Sequence, residues 1–332
     1  MPRSGPRPLV LLSGATGFIG RALYPWLVGA DLDVRSGTRD PERARRAAPD
    51  RRWVHLDLDR PKTLPAALEG CVVAFHLVHG MAEGAGYAER EARGARAFAR
   101  AARAAGVRRI VYLGGVDPAG EPSVHLDSRI ETGRILRQGP VPTLELRAAM
   151  VAGPGSTSWQ IVRDFAARLP VMARGGWLER ASWPVYVDDV CDALTRAATE
   201  LEPGEGSRWY DAPGPERIAH AALIQRVMRR MGRRPPVIRI PDVPPRLARL
   251  GVSLLSGADP AVAEELVEGL ASDLDPSGPS IWRRFPSIRR TPLDELIDRC
   301  LDADPGRAVP RRGPGWGAGR RLSGGAAPSA SR

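Results

Sequence analysis

The stretch Ser13-Gly14-Ala15-Thr16-Gly17-Phe18-Ile19-Gly20 decides the fold. It follows a short apolar run, Leu9-Val10-Leu11-Leu12, and leads into a segment, Arg21 to Val28, that reads as a helix. A strand that turns over glycines into a helix gathers backbone N–H groups and a helix N-terminus at one point, which suits a pyrophosphate. Glycine allows the tight turn and lets a ligand approach the backbone with no Cβ in the way. The context carries the signal, since three glycines alone would be weak. Gly14, Thr16, Gly17, Phe18, Ile19 and Gly20 are the candidate contacts of this turn.

Strands and helices alternate onward from it. Asp31 to Arg39 and Arg52 to Leu58 read as strands, Thr63 to Glu69 as a helix, and Cys71 to Val78 as an unalternating apolar strand. Such strands belong in parallel sheets covered on both faces. Ala88 to Ala105 is a two-sided helix, with Arg90, Arg93, Arg96, Arg100 and Arg103 on one side and alanines with Phe98 on the other. The strand Arg108 to Gly115, a helix near Asp127 to Arg137 and the strand Thr143 to Val151 complete a doubly wound, Rossmann-type α/β pattern. The second half is broken by Gly153-Pro154-Gly155, Pro203-Gly204 and Pro213-Gly214-Pro215. Helices are predicted at Trp159 to Arg168, Asp188 to Thr199, Ile218 to Met231 and Pro292 to Leu301, with strands at Arg208 to Asp211 and Pro236 to Ile240. The expected division is a nucleotide-binding domain over 1–152, a smaller α+β substrate region over 153–302 interleaved with it, and a disordered basic tail over 303–332.

Composition narrows the function classes. The net charge of +11 is misleading, because six arginines and no acidic residue lie between Pro305 and Arg332. That Gly/Pro/Ser/Ala-rich segment cannot bury enough apolar surface to fold. The body is only mildly basic and shows no base-reading helix pattern, which argues against specific nucleic-acid binding. Lys62 is the only lysine, so a single arginine is a poor functional signal here. Cys71, Cys191 and Cys300 are isolated, with no metal or redox spacing, which suggests a reducing, cytoplasmic setting. No stretch reaches membrane-spanning length. The five arginines on the Ala88–Ala105 helix argue against a hydrophobic seam there, so a monomer or a weak dimer through another surface is expected.

The motifs resemble those of the extended and atypical short-chain dehydrogenase/reductase superfamily, in particular its NmrA-like and complex-I-accessory-subunit-like branch. The opening turn has the branch's GxxGxxG spacing at Gly14, Gly17 and Gly20. Asp57-Leu58 matches its adenine-contacting pair, though Leu56 replaces the usual preceding glycine. Ala104 to Tyr112 matches its helix-to-strand passage, and Val187-Asp188-Asp189-Val190 the start of a late helix. His76-Leu77-Val78-His79-Gly80-Met81 and His125-Leu126-Asp127-Ser128-Arg129 look like one bacterial subgroup of epimerase-like proteins. The resemblance implies a Rossmann fold and a nicotinamide cofactor, with His76, Leu77 and Val78 on the nicotinamide side.

An acidic residue ending the second strand would favour NAD by binding the ribose 2′-hydroxyl. This chain instead has Ser36, Thr38 and Arg39 before Asp40, which favours NADP(H), with NAD possible. The resemblance also implies a catalytic serine after the fifth strand and a YxxxK motif. Gly114-Gly115 stands at the first, and His125 with Arg129 at the second. Arg129 would hold the nicotinamide ribose. His125 is either a proton donor titrating in the ordinary histidine range, with activity falling as pH rises, or a cap of the helix near Asp127. His79 is a candidate substrate contact. Arg147 would meet a substrate carboxylate or pair with Glu145 or Glu131. Asp188-Asp189 reads as a helix start, and Trp159, Trp177 and Trp183 as core or lid packing. The expected activity is an oxidoreductase or epimerase on a small organic substrate; a non-catalytic redox sensor or assembly protein is the alternative.

Overall fold

In a computed structural model, which describes residues 6–79, 86–118, 120, 122–200, 205–239 and 272–304, seven parallel strands form the central sheet. They are β1 (Leu9–Leu12), β2 (Asp33–Thr38), β3 (Arg52–His55), β4 (Val73–His76), β5 (Arg109–Gly115), β6 (Thr143–Ala148) and β11 (Arg208–Asp211). Their spatial order is β11-β6-β5-β4-β1-β2-β3, the dinucleotide-binding arrangement with its switch point between β1 and β4.

Alternate residues of the central strands enter different layers, as the two-residue period requires. Val10, Leu12, Val73, Phe75, Val111 and Leu113 pack with helices α1 (Phe18–Gly29) and α7 (Val187–Thr199). Leu11, Ala74, Ile110 and Tyr112 pack with α3 (Leu64–Leu68), α4 (Tyr87–Ala104) and α5 (Val124–Arg137). The first layer continues into the second half through α6 (Thr157–Arg168), α8 (His220–Arg230), α9 (Ile281–Arg284) and α10 (Leu293–Asp302). One apolar core therefore serves both halves of the chain. No helix among the described residues is long and apolar enough to cross a membrane.

Several elements depart from the sequence-based expectation. The strand expected over Cys71–Val78 is confined to Val73–His76, because the Leu77 N–H donates to Ser13 Oγ (3.1 Å) instead of to a neighbouring strand. The strand expected over Thr143–Val151 ends at Ala148; β7 (Val151–Ala152) pairs with β10 (Val185–Tyr186) in a separate ladder. Helix α5 begins at Val124, not near Asp127, since Ser123 Oγ accepts the Leu126 N–H and caps it. Helix α2 (Pro41–Ala47), unforeseen in the sequence, is nucleated by Asp40 accepting the Arg43 N–H (2.9 Å) and by Pro41 in its first turn. Three further strands, β8 (Met172–Arg174), β9 (Ala181–Ser182) and β12 (Ile218–Ala219), are too short to leave a periodic signal; β13 (Val237–Arg239) pairs with β8. Gly80, Met81, Pro203-Gly204 and the tail from Pro305 lie outside the described residues.

Candidate functional site

The glycine turn is built by close approach. Gly14 has φ +66°, and a Cβ there would stand 2.5 Å from the Leu77 carbonyl oxygen; one on Gly20 would run into the Gly14 carbonyl. Gly17 differs: a Cβ there would meet only the Gly14 carbonyl oxygen, at 3.2 Å, and otherwise opens on the cleft. Helix α1 starts with neither a side-chain cap nor an acidic residue in its first turn. Its uncapped N–H groups and positive dipole end fit a pyrophosphate above Gly17. Ser13 fixes the rim, donating to the Phe75 carbonyl (2.7 Å) while accepting from Leu77.

From this turn a cleft of about 1090 Å³ runs along the carboxyl ends of the strands, and the residues proposed as cofactor or catalytic groups line it, with the exception of Ser36. At one end stand Thr38 and Arg39, joined by Arg43 from α2. Ser36, expected there as a donor, is fully buried and does not line the cleft, because strand alternation turns it inward. Asp40 is committed to capping α2. Asp57 accepts the Asp59 N–H (3.1 Å) and donates its own N–H to Thr63 Oγ1 (3.0 Å), which holds Asp57-Leu58 at the cleft edge. Leu56 packs over Gly37, where a Cβ would lie 3.0 Å from Leu56 Cδ1.

At the other end the structure gathers His76, Leu77, Val78, His79, His125 and Arg129. His125 and Arg129 lie one turn apart in α5. Arg129 donates from Nη2 to the Leu113 carbonyl (2.8 Å), and its own carbonyl accepts the Tyr112 hydroxyl (2.9 Å). Tyr112 and Phe98 also clasp the His76 ring, with centroids 5.8 and 4.8 Å away. Side chains pack closely on the two glycines that stand at the serine position. A Cβ on Gly114 would stand 2.7 Å from Glu145 Oε1, and one on Gly115 would run into Leu126. Gly133 has no room for a Cβ against the same Glu145 carboxylate, which is fully buried and paired with Arg137 (2.7 Å) and Arg147 (3.0 Å).

Burial controls the histidines. It lowers His76 to about 4, and lowers His125, with help from the neighbouring Arg129 cation, to about 3. His79 is held well below the ordinary range by burial and by Arg129. The sequence expectation that His125 titrates near neutrality is thereby corrected: its imidazole is neutral at physiological pH. Its reading as a helix cap is also corrected, since Ser123 is the cap.

Other candidates resolve as structure. Arg147 is buried against Glu145 and stacks 4.1 Å from the Trp209 ring, so no substrate carboxylate reaches it there. Asp189 accepts the Thr291 N–H and hydroxyl at 2.7 and 2.8 Å. Trp159 is core, and Trp183 donates to Asp275 (2.9 Å); the Trp177 side chain lies outside the described residues. The sequence reading missed Glu91, Thr132, Ser182 and His220, all of which line the cleft. His220 lay inside an expected helix, and only the β12-to-α8 junction shows it starting one.

Residues 14–136 match a protein-family model described as NAD(P)H-binding. The ceramide reductase of Caulobacter vibrioides (strain NA1000 / CB15N) is 29% identical over 257 residues, spanning 71% of this chain and 74% of that protein. Among solved structures, Citrobacter sp. triphenylmethane reductase complexed with NADP(H) superposes with TM-score 0.69 at 17% identity, covering 89% of this chain and 100% of that one. An NADPH-dependent quinone oxidoreductase from Escherichia coli, complexed with NADPH, gives TM-score 0.68 at 19% identity over 88% and 99%. These structural likenesses are of fold. The chain carries an NAD(P)H-binding domain on a Rossmann-type sheet, and the resemblance to the atypical short-chain dehydrogenase/reductase group read from its motifs stands.

Proposed function

We propose that this protein is an NADPH-dependent oxidoreductase that reduces a small, largely apolar carbonyl compound. One observation carries the reading: the cleft does not end at His125 and Arg129 but continues onto a wall of Met150, Ile161, Val162, Phe165 and Ile224. At about 1090 Å³ it exceeds the roughly 300–1,000 Å³ of pockets that hold one small ligand, leaving room for cofactor and substrate together. Bound NADPH would supply hydride. The Gly14–Gly20 turn and the start of α1 would hold the pyrophosphate, Thr38, Arg39 and Arg43 the 2′-phosphate, and Asp57-Leu58 the adenine. Arg129, a permanent cation, would bond the nicotinamide ribose. His125, being neutral, would act by hydrogen bonding from its ring N–H to a carbonyl oxygen, polarising it, while solvent supplies the proton.

Calorimetric titration tests the cofactor side. NADPH should bind at least tenfold more tightly than NADH, about 1.4 kcal/mol, and Arg39→Asp should reverse the order. Equal affinities unchanged by that substitution would remove the assignment. NADPH oxidation with a panel of apolar aldehydes and ketones tests the reaction, and His125→Phe should lower kcat without loosening NADPH. The second reading, a nucleotide-binding sensor or assembly protein, is favoured by the closely packed glycines, Gly114-Gly115, at the serine position. NADPH binding with no turnover of any carbonyl would select it.

A further inference from the structure

The far wall of the cleft is largely apolar, with hydroxyls at Ser156, Thr157 and Ser158 and a buried polar pair on another element. Ile161, Phe165, Ile224 and Leu274 line it, and Ser182 and His220 sit among them. The antiparallel β9–β12 ladder places them diagonally on one ladder, two residues out of register: Ile218 pairs with Ser182 and Ala219 with Ala181. The His220 N–H extends the ladder by donating to the Arg180 carbonyl (2.9 Å). Ser182 is 1% exposed and His220 6%.

Ser182 Oγ and His220 Nε2 have no hydrogen-bond partner among the described residues. Buried polar atoms are nearly always paired, and an unpaired one bears its whole desolvation penalty. Two of them on one ladder beside a cleft call for a partner from outside the chain. The neighbouring Asp273 does not serve: its Oδ1 accepts the Ala181 N–H (2.7 Å) and lies 3.4 Å from Arg217, and its Oδ2 lies 3.5 Å from Arg180. An ion does not suit the place, because the aliphatic side chains around it would strip its water. A neutral oxygen does.

We propose that Ser182 and His220 form a recognition point for one hydroxyl or carbonyl oxygen of an otherwise apolar substrate, at the wall opposite the reacting end. A serine hydroxyl both donates and accepts, and a neutral imidazole nitrogen does either according to its tautomer, so a single hydroxyl can satisfy both groups. The substrate class is then an otherwise apolar carbonyl compound with a second oxygen. The inference rests on the reductase reading only for what happens at the other end.

The test is calorimetry on the NADPH complex of the full chain with dodecanone and with its hydroxy derivatives, the hydroxyl stepped along the carbon chain. One hydroxylated position should bind roughly tenfold more tightly than the parent ketone. His220→Phe and Ser182→Ala should each remove that preference while the parent's affinity holds or rises. His220→Gln, which restores a donor near Nε2, should recover part of it, and unchanged NADPH affinity reports that each variant is folded. No preference in the native protein, or a preference that survives both variants, would overturn the proposal. Selective binding without NADPH oxidation would instead remove the reductase reading and leave the recognition pair standing.

Discussion

The first half of this molecule, with its glycine turn, and the second half, with its short strands, are held in shape by different means. In the first, a contiguous turn packs backbone against backbone, with Gly14 and Gly20 pressed against the carbonyls of Leu77 and Gly14. In the second, side chains reach distant backbone groups: Asp189 of α7 to Thr291, Asp211 of β11 to Ser277 and Gly278, Asp273 to Ala181 of β9. Contacts of the first kind tolerate almost no change in residue. Contacts of the second kind depend on single carboxylates, each of which one substitution removes.

The largest effect that would break this contrast is at Gly20. Gly20→Ala should abolish NADPH binding and lower solubility, because the methyl meets backbone that cannot yield. Gly17→Ala, whose methyl opens on the cleft, should stay folded and lose affinity instead. Thermal melts with NADPH titrations separate the two outcomes, and similar behaviour of both variants would show that the turn is not packed as described.

A smaller effect is expected in the second half. Asp189→Ala strips a buried N–H and hydroxyl of their acceptor and should cost about 2–3 kcal/mol, read by chemical denaturation. NADPH affinity should stay close to native, since neither Asp189 nor Thr291 lines the cleft. A large affinity loss would mean the halves are coupled more tightly than their contacts indicate.

The smallest effect tests a trait the halves share, buried neutral histidine. His76 in the first half and His220 in the second are each lowered by burial to about 4 from an ordinary 6.5. As pH falls from 6.5 toward 4 the unfolded chain takes up protons that the folded chain refuses, so stability declines on acidification and is fully present above pH 6.5. Each such histidine contributes a slope of up to about 1.4 kcal/mol per pH unit. His76→Phe, whose ring would still pack on Phe98 and Tyr112, should reduce the slope of stability against pH between 6.5 and 5 by that share. An unchanged slope would place His76 in a wetter environment than its packing shows.

The sequence by itself determined most of the individual strands, the glycine turn, the lack of a carboxylate before Asp40 at the end of β2, and the spacing of His125 and Arg129 on one helix. All of these depend on residues within a few positions of one another, where periodicity and turn chemistry act directly. The protonation of His125, the close packing on Gly114-Gly115, the inward turn of Ser36 and the placing of Ser182 and His220 on one ladder were decided only by tertiary structure. Each depends on a neighbour from another element: Arg129 and the burial around it, Glu145 and Leu126, the sheet interior, and the β9–β12 ladder. Charge state and free volume are properties of what surrounds a side chain, and the order of residues along a strand or helix does not specify those surroundings.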